Sequence, residues 1–207
     1  MVMLPVERVV RYNLRERLVH AAAGISYVYL LLTGLAFWTP ALYWLAIVLG
    51  GGYLSRMLHP WAGLVFSAVL LVMWASWRRD MKTTPADKEW RKHIVDYMTN
   101  KDEKVPPVGR FNYGQKQFFW LMVIAMWALV ISGGVLWFVS SVPAGFAWLR
   151  DAAILVHSIS ALATIGLFIV HLYMGIAVVP GGLSAIVRGE VTREWARQHH
   201  SLWKTRP

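Results

Sequence analysis

The sequence contains no cysteine. That absence excludes disulfides, thiolate haem ligation, iron–sulfur clusters and covalent c-type haem attachment within the chain. Charge is scarce as well: Asp, Glu, Lys and Arg make up 15% of the 207 residues, against 57% hydrophobic residues and 12 Trp. Acidic residues are missing altogether from four long apolar stretches, at about 18–38, 55–77, 116–139 and 152–179. Each is long enough to cross a hydrocarbon core, which takes about 20 apolar residues. Their lack of carboxylates argues against a proton-conducting pump.

What is present reads as an all-α membrane protein, a four-transmembrane-helix bundle with a cytoplasmic interfacial C-terminal helix, forming one integral membrane domain over 1–207. No small-residue cleavage site follows the N-terminal polar lead early enough for a signal peptide. The net charge of +10 is not spread as a nucleic-acid footprint. Four Lys/Arg lie in the lead (Arg8, Arg11, Arg15, Arg17), ten in 78–116 and five after 187; the intervening loops hold only Arg56 and Arg150. Positive charge marks the cytoplasmic side, so both termini and the middle loop are expected there.

Local signals refine the expectation. Trp38, Tyr43 and Trp44 suit an aromatic belt at the outer interface. Gly50-Gly51-Gly52 breaks the chain, and His59-Pro60 opens the second span, with proline tolerated in a first helical turn. Asp87–Met98 reads as one amphipathic helix with Trp90, Ile94 and Tyr97 on one side. Pro180-Gly181-Gly182 stops span four, and Leu183–His200 reads as an interfacial helix.

Histidine carries almost all of the ionisable cost inside the spans, and such residues are usually functional. His20 lies in span one, His59 in span two, and His157 and His171 in span four. The last two are 14 residues apart; at about 100° and 1.5 Å per residue they share a face within roughly 40° and stand about 21 Å apart. The topology pairs them by depth, His59 with His157 near the outer side and His20 with His171 toward the cytoplasm. Each pair can supply two axial nitrogens to one haem iron, leaving no open position and favouring electron transfer. Ala21, Ala22, Ala23, Gly24, Gly63, Ser158, Ser160, Ala161 and Ala163 leave room for a flat macrocycle, or equally serve close helix packing. Zinc is the rival use of histidine, but pairs about 20 Å apart cannot form one tetrahedral site. His93, His199 and His200 read as surface or headgroup residues. At the mouth of span three, Phe111-Asn112-Tyr113-Gly114-Gln115-Lys116 offers the amide donors Asn112 and Gln115 to a quinone carbonyl, with Gly114 permitting close approach. The alternative is a polar helix start with Asn112 as N-cap.

The segments RMLHP, FNYGQK, ILVHS, FIVHLYMG and GEVTREWARQHH occur in this order. Together they resemble the cytochrome b (gamma) subunit of respiratory formate dehydrogenase, over about residues 8–203. Related hydrogenase and thiosulfate-reductase cytochromes b share the general plan. The resemblance implies a four-helix anchor with two b haems, ligated by His59/His157 and His20/His171. It implies electrons from an iron–sulfur beta subunit, beside a pterin-containing catalytic alpha subunit, passing to menaquinone or another quinone at Asn112, Gly114, Gln115 and His171. Ala21 departs from the aromatic expected after the first ligand. The rival from another class is a non-redox anchor or transporter with a histidine relay.

Overall fold

The computed structural model describes residues 7–204. Four long helices carry the apolar stretches: α1 (Leu14–Trp38), α3 (Gly52–Trp77), α6 (Tyr113–Trp137) and α7 (Trp148–Tyr173). All four are long and apolar enough to cross a membrane, and α7 continues as a π-helical turn over Met174–Val178. Each begins three or four residues before the expected span, so polar groups such as Glu16 and Asp151 enter the first turns, where negative charge complements the helix dipole. Between α1 and α3 a 3₁₀ turn (Pro40–Leu42) and α2 (Trp44–Val48) precede Gly50 and Gly51. Those glycines have φ of 95° and 99°, a region that L side chains rarely adopt. Pro60 does not open its helix, because α3 starts at Gly52 and Pro60 lies inside it. Lacking an N–H, Pro60 releases the carbonyl four residues back, at Arg56.

The described residues divide into two compact units, 19–75 with 121–167, and 7–18 with 76–120 and 168–204. In the first unit the central parts of the four long helices pack together. Tyr27 of α1 meets Phe66 of α3 with ring centroids 5.7 Å apart, and Trp61 of α3 meets Trp137 of α6 edge-on at 5.2 Å. Its outward faces are apolar, with Ile25, Val65, Ile124, Ile131 and Ile159 exposed, as a lipid-facing surface requires. Around the loops Trp38, Tyr43, Trp44, Phe146 and Trp148 are exposed too.

The second unit holds most of the polar residues. Residues 85–98 do not form one amphipathic helix. They form α4 (Pro85–Trp90), a 3₁₀ turn and α5 (Ile94–Met98), with Thr84 and Asp87 making a capping box at the start. The break lets Trp90 and Tyr97 pack edge-on into one core with Val108, Val178 and Val179, while Ile94 is left exposed. The tail is likewise not one interfacial helix. It folds as α8 (Gly182–Val187), a strand β2 (Glu190–Thr192) and α9 (Arg193–His199). β2 pairs antiparallel with β1 (Arg8–Val10), setting Val9 opposite Val191, so the all-α expectation gains a two-stranded sheet. Val9, Ala185, Val191 and Ala196 then form a second core. Arg17 closes α8 by donating from its guanidinium to the carbonyls of Ile186 (2.9 Å) and Val187.

Candidate functional site

His59 on α3 and His157 on α7 come together in the first unit, with ring centroids 6.4 Å apart and planes tilted 59°. Each ring is held by a hydroxyl from a neighbouring helix. Thr33 Oγ1 on α1 lies 2.7 Å from His59 Nδ1, and Ser132 Oγ on α6 lies 3.0 Å from His157 Nδ1. A hydroxyl has one proton to give. Thr33 donates its proton to the Tyr29 carbonyl (2.8 Å), and Ser132 donates to that of Ala128 (2.5 Å). Both oxygens must therefore accept from Nδ1–H, which assigns the tautomer and leaves Nε2 of each imidazole as the bare nitrogen.

The residue after each hydroxyl is a glycine. A Cβ at Gly34 would stand 3.8 Å from His59 Cε1, and one at Gly133 would stand 3.2 Å from His157 Cε1. Thr33-Gly34 and Ser132-Gly133 are thus the same device used twice, a hydroxyl to hold the ring and a missing side chain to admit it. Phe37 packs edge-on to His59 at 5.6 Å.

The geometry fits a haem. A metal–imidazole nitrogen bond is about 2 Å long, so two such bonds with the ring radii span about 6 Å, close to the separation found. Among the described residues no three His, Cys, Asp or Glu side chains gather as a metal-binding group. The pair would supply two imidazole nitrogens to a haem iron.

His20 belongs to the first unit and His171 to the second, and both are half-buried. The His171 ring stacks on Phe118, with centroids 4.6 Å apart and planes within 9°.

Asn112 and Gln115 are brought together as a reciprocal cap of α6. The Asn112 backbone N–H donates to Gln115 Oε1 (3.0 Å), and the Gln115 backbone N–H donates to Asn112 Oδ1 (2.9 Å). The helix-start reading of this turn is therefore correct. It also orients both side chains, because their oxygens take the capping bonds and their NH₂ groups take no part in them. Asn112 is 2% exposed and Gln115 is half-buried. A Cβ at Gly114 would meet only ordinary contacts, Asn112 Oδ1 at 3.5 Å and the Trp90 ring at 3.8 Å, so packing alone does not require glycine there.

Sequence reasoning missed the groups that steady this turn. Lys116 Nζ reaches both oxygens of Asp87, at 2.8 and 3.1 Å, in a buried ion pair. Arg110 bridges Glu16 (2.5 Å) and Asp80 (3.1 Å), and Trp77 Nε1 donates to the same Glu16 carboxylate. His199 and His200 are buried rather than at the surface. The surface expectation treated the tail as a solvated helix, whereas the strand pairing folds it back. His200 Nδ1 donates to the Gly109 carbonyl at 2.8 Å, and Nε2 faces Arg11 Nη2 at 3.3 Å. Burial, then the Arg11 charge, push this imidazole down to about 3, so it is neutral. Arg11 lies against the rings of Trp203, Tyr12 and Phe111 and donates to the Arg110 carbonyl.

Known proteins match nearly the whole chain. The cytochrome b556(fdo) subunit of formate dehydrogenase from Escherichia coli K12 is 33% identical over 197 residues, covering 95% of this chain and 92% of its own length. The formate dehydrogenase cytochrome b556 subunit of Haemophilus influenzae is 32% identical over 202 residues, covering 95% and 82%. The nitrate-inducible cytochrome b556(Fdn) subunit of E. coli K12 is 28% identical over 198 residues, covering 94% and 89%. A family profile described as prokaryotic cytochrome b561 matches residues 11–189. With four long apolar helices and a histidine pair set between them, the chain belongs to the prokaryotic cytochrome b561 family.

Proposed function

We propose that this chain is the membrane-anchoring diheme cytochrome b subunit of a formate dehydrogenase complex, carrying electrons from an iron–sulfur beta subunit to menaquinone or another quinone. The observation that carries the reading is the His59–His157 pair at 6.4 Å, each ring tied through Nδ1 to a hydroxyl. The inner pair, His20 with His171, rests on helix register and on the resemblance. A b haem held by two imidazoles supplies one-electron transfer with no open coordination position.

The chain's own residues do the rest. His59 and His157 bind, Thr33 and Ser132 orient them, and the apolar helix faces exclude water. At the cytoplasmic mouth of α6, the NH₂ groups of Asn112 and Gln115 hold a quinone carbonyl beside Gly114. Reduction to quinol takes two electrons, which enter from outside, and two protons, which come from the cytoplasm. Both termini and the 78–112 loop face that side of the bacterial inner membrane. The beta subunit and, through it, the pterin-containing alpha subunit dock on the outer loops, where Tyr43, Trp44 and Trp148 stand exposed.

The test uses membranes carrying the whole complex. Formate should reduce haem b bands, and a soluble menaquinone analogue should reoxidise them from the cytoplasmic face. Formate oxidation that leaves the haem bands unreduced would contradict the reading.

A further inference from the structure

Thr33 and Ser132 occupy equivalent places against the two outer imidazoles, and neither is available to water. Thr33 is 0% exposed and Ser132 is 4% exposed. Each hydroxyl is spent in one direction, donating to the carbonyl four residues earlier on its own helix, so each is committed to accept from Nδ1–H. A histidine that donates its remote N–H becomes a more basic ligand. A more basic ligand stabilises the oxidised, more positive iron over the reduced one and lowers its reduction potential.

We infer that Thr33 and Ser132 are positioning residues that hold down the reduction potential of the site formed by His59 and His157. The inference rests on the haem reading of that pair. It follows that the two hydroxyls are unequal. Removing the Thr33 oxygen strands the His59 N–H in a fully buried place, where no water can replace it. The Ser132 contact is longer, 3.0 Å against 2.7 Å for Thr33, so its loss costs His157 less. Thr33 therefore has the larger effect. The null effect of shape is separable, because valine copies the outline of threonine without its oxygen and serine keeps the oxygen without the methyl.

Optical redox titration of the haem bands, in membranes carrying the full complex, reads this out. The outer haem is identified as the one lost in His59→Ala. Thr33→Val should favour its reduced form by about three- to tenfold, a rise of about 30–60 mV at 59 mV per decade for one electron. Ser132→Ala should raise the same haem by less, Thr33→Ser should stay at the wild-type value, and the other haem should not move. An unchanged midpoint in Thr33→Val, or a shift in Thr33→Ser as large as that in Thr33→Val, would overturn the inference and leave the haem assignment standing. If Thr33→Val does not assemble, Ser132→Ala carries the same test, and an unchanged midpoint there together with a shifted one in Thr33→Ser overturns it. Loss of no haem in His59→Ala would overturn the haem reading itself.

Discussion

Lys116 and Asp87 are joined as a buried ion pair, Nζ 2.8 Å from Oδ2, with side chains 8% and 4% exposed. The pair ties the first turn of α6, where Asn112 and Gln115 cap the helix, to α4. Removing one member leaves the other charge buried alone, which costs about 3–5 kcal/mol. Lys116→Met should therefore lower the thermal midpoint of the purified protein sharply. Lys116→Met with Asp87→Leu should recover part of the loss, because no lone charge remains. A single variant that melts like the wild type would show the pair to be solvated.

Acid sensitivity separates Asp87 from His200. Burial raises the Asp87 carboxyl, but the bonds from Lys116 and Thr84 outweigh it and hold the group below its ordinary range. Its stabilisation is complete above the unfolded value of about 3.9 and is lost only as pH falls through the lower folded value. His200 acts in the same direction but at higher pH. Its folded value of about 3 lies below the ordinary 6.5, so the unfolded chain binds its proton first. Stability should then decline from about pH 6 toward pH 4, by at most about 1.4 kcal/mol per unit. His200→Gln should flatten that slope in acid unfolding followed by tryptophan fluorescence, and an unchanged slope would assign it elsewhere.

Much of this was legible in the sequence, for identifiable reasons. The four spans and the four histidines stand out because an ionisable group in an apolar run is costly wherever the run folds. Thr33 and Ser132 do not stand out, since a hydroxyl in a span can satisfy itself on its own helix, and only the packing of α1 on α3 and α6 on α7 shows what its oxygen accepts. The Asp87–Met98 segment has helical periodicity throughout, yet burying both Trp90 and Tyr97 in one core requires the chain to turn at residues 91–93. β1 and β2 are three-residue strands separated by some 180 residues, which pair only through long-range contact. The same long-range pairing buries His199 and His200, which no local pattern marks.

The two ring-admitting glycines should tolerate alanine unequally. A methyl at Gly34 makes ordinary contact with His59, whereas one at Gly133 crowds His157 Cε1 at 3.2 Å. Haem content per chain, measured by pyridine haemochrome, should stay near wild type in Gly34→Ala and fall in Gly133→Ala. Equal retention in both would show that the His157 ring yields without cost.

Because the Gln115 oxygen caps α6 and its NH₂ does not, the two roles can be separated. Gln115→Glu keeps the capping oxygen and removes the amide donor. One lost hydrogen bond is worth about 0.5–1.5 kcal/mol, so quinone reduction should slow by a few-fold to about tenfold with both haems spectrally intact. Gln115→Leu should slow it as well, and also lower the melting temperature through loss of the cap. Full quinone activity in both variants would move the site away from this turn.

The central claim is that His59 and His157 bind one haem between them, and reduced-minus-oxidised spectra of the two alanine variants test it most directly. The account predicts that His59→Ala and His157→Ala each remove the same b haem, with identical residual spectra and one haem left per chain. Residual spectra belonging to different haems, or a full complement of haem in either variant, would contradict it.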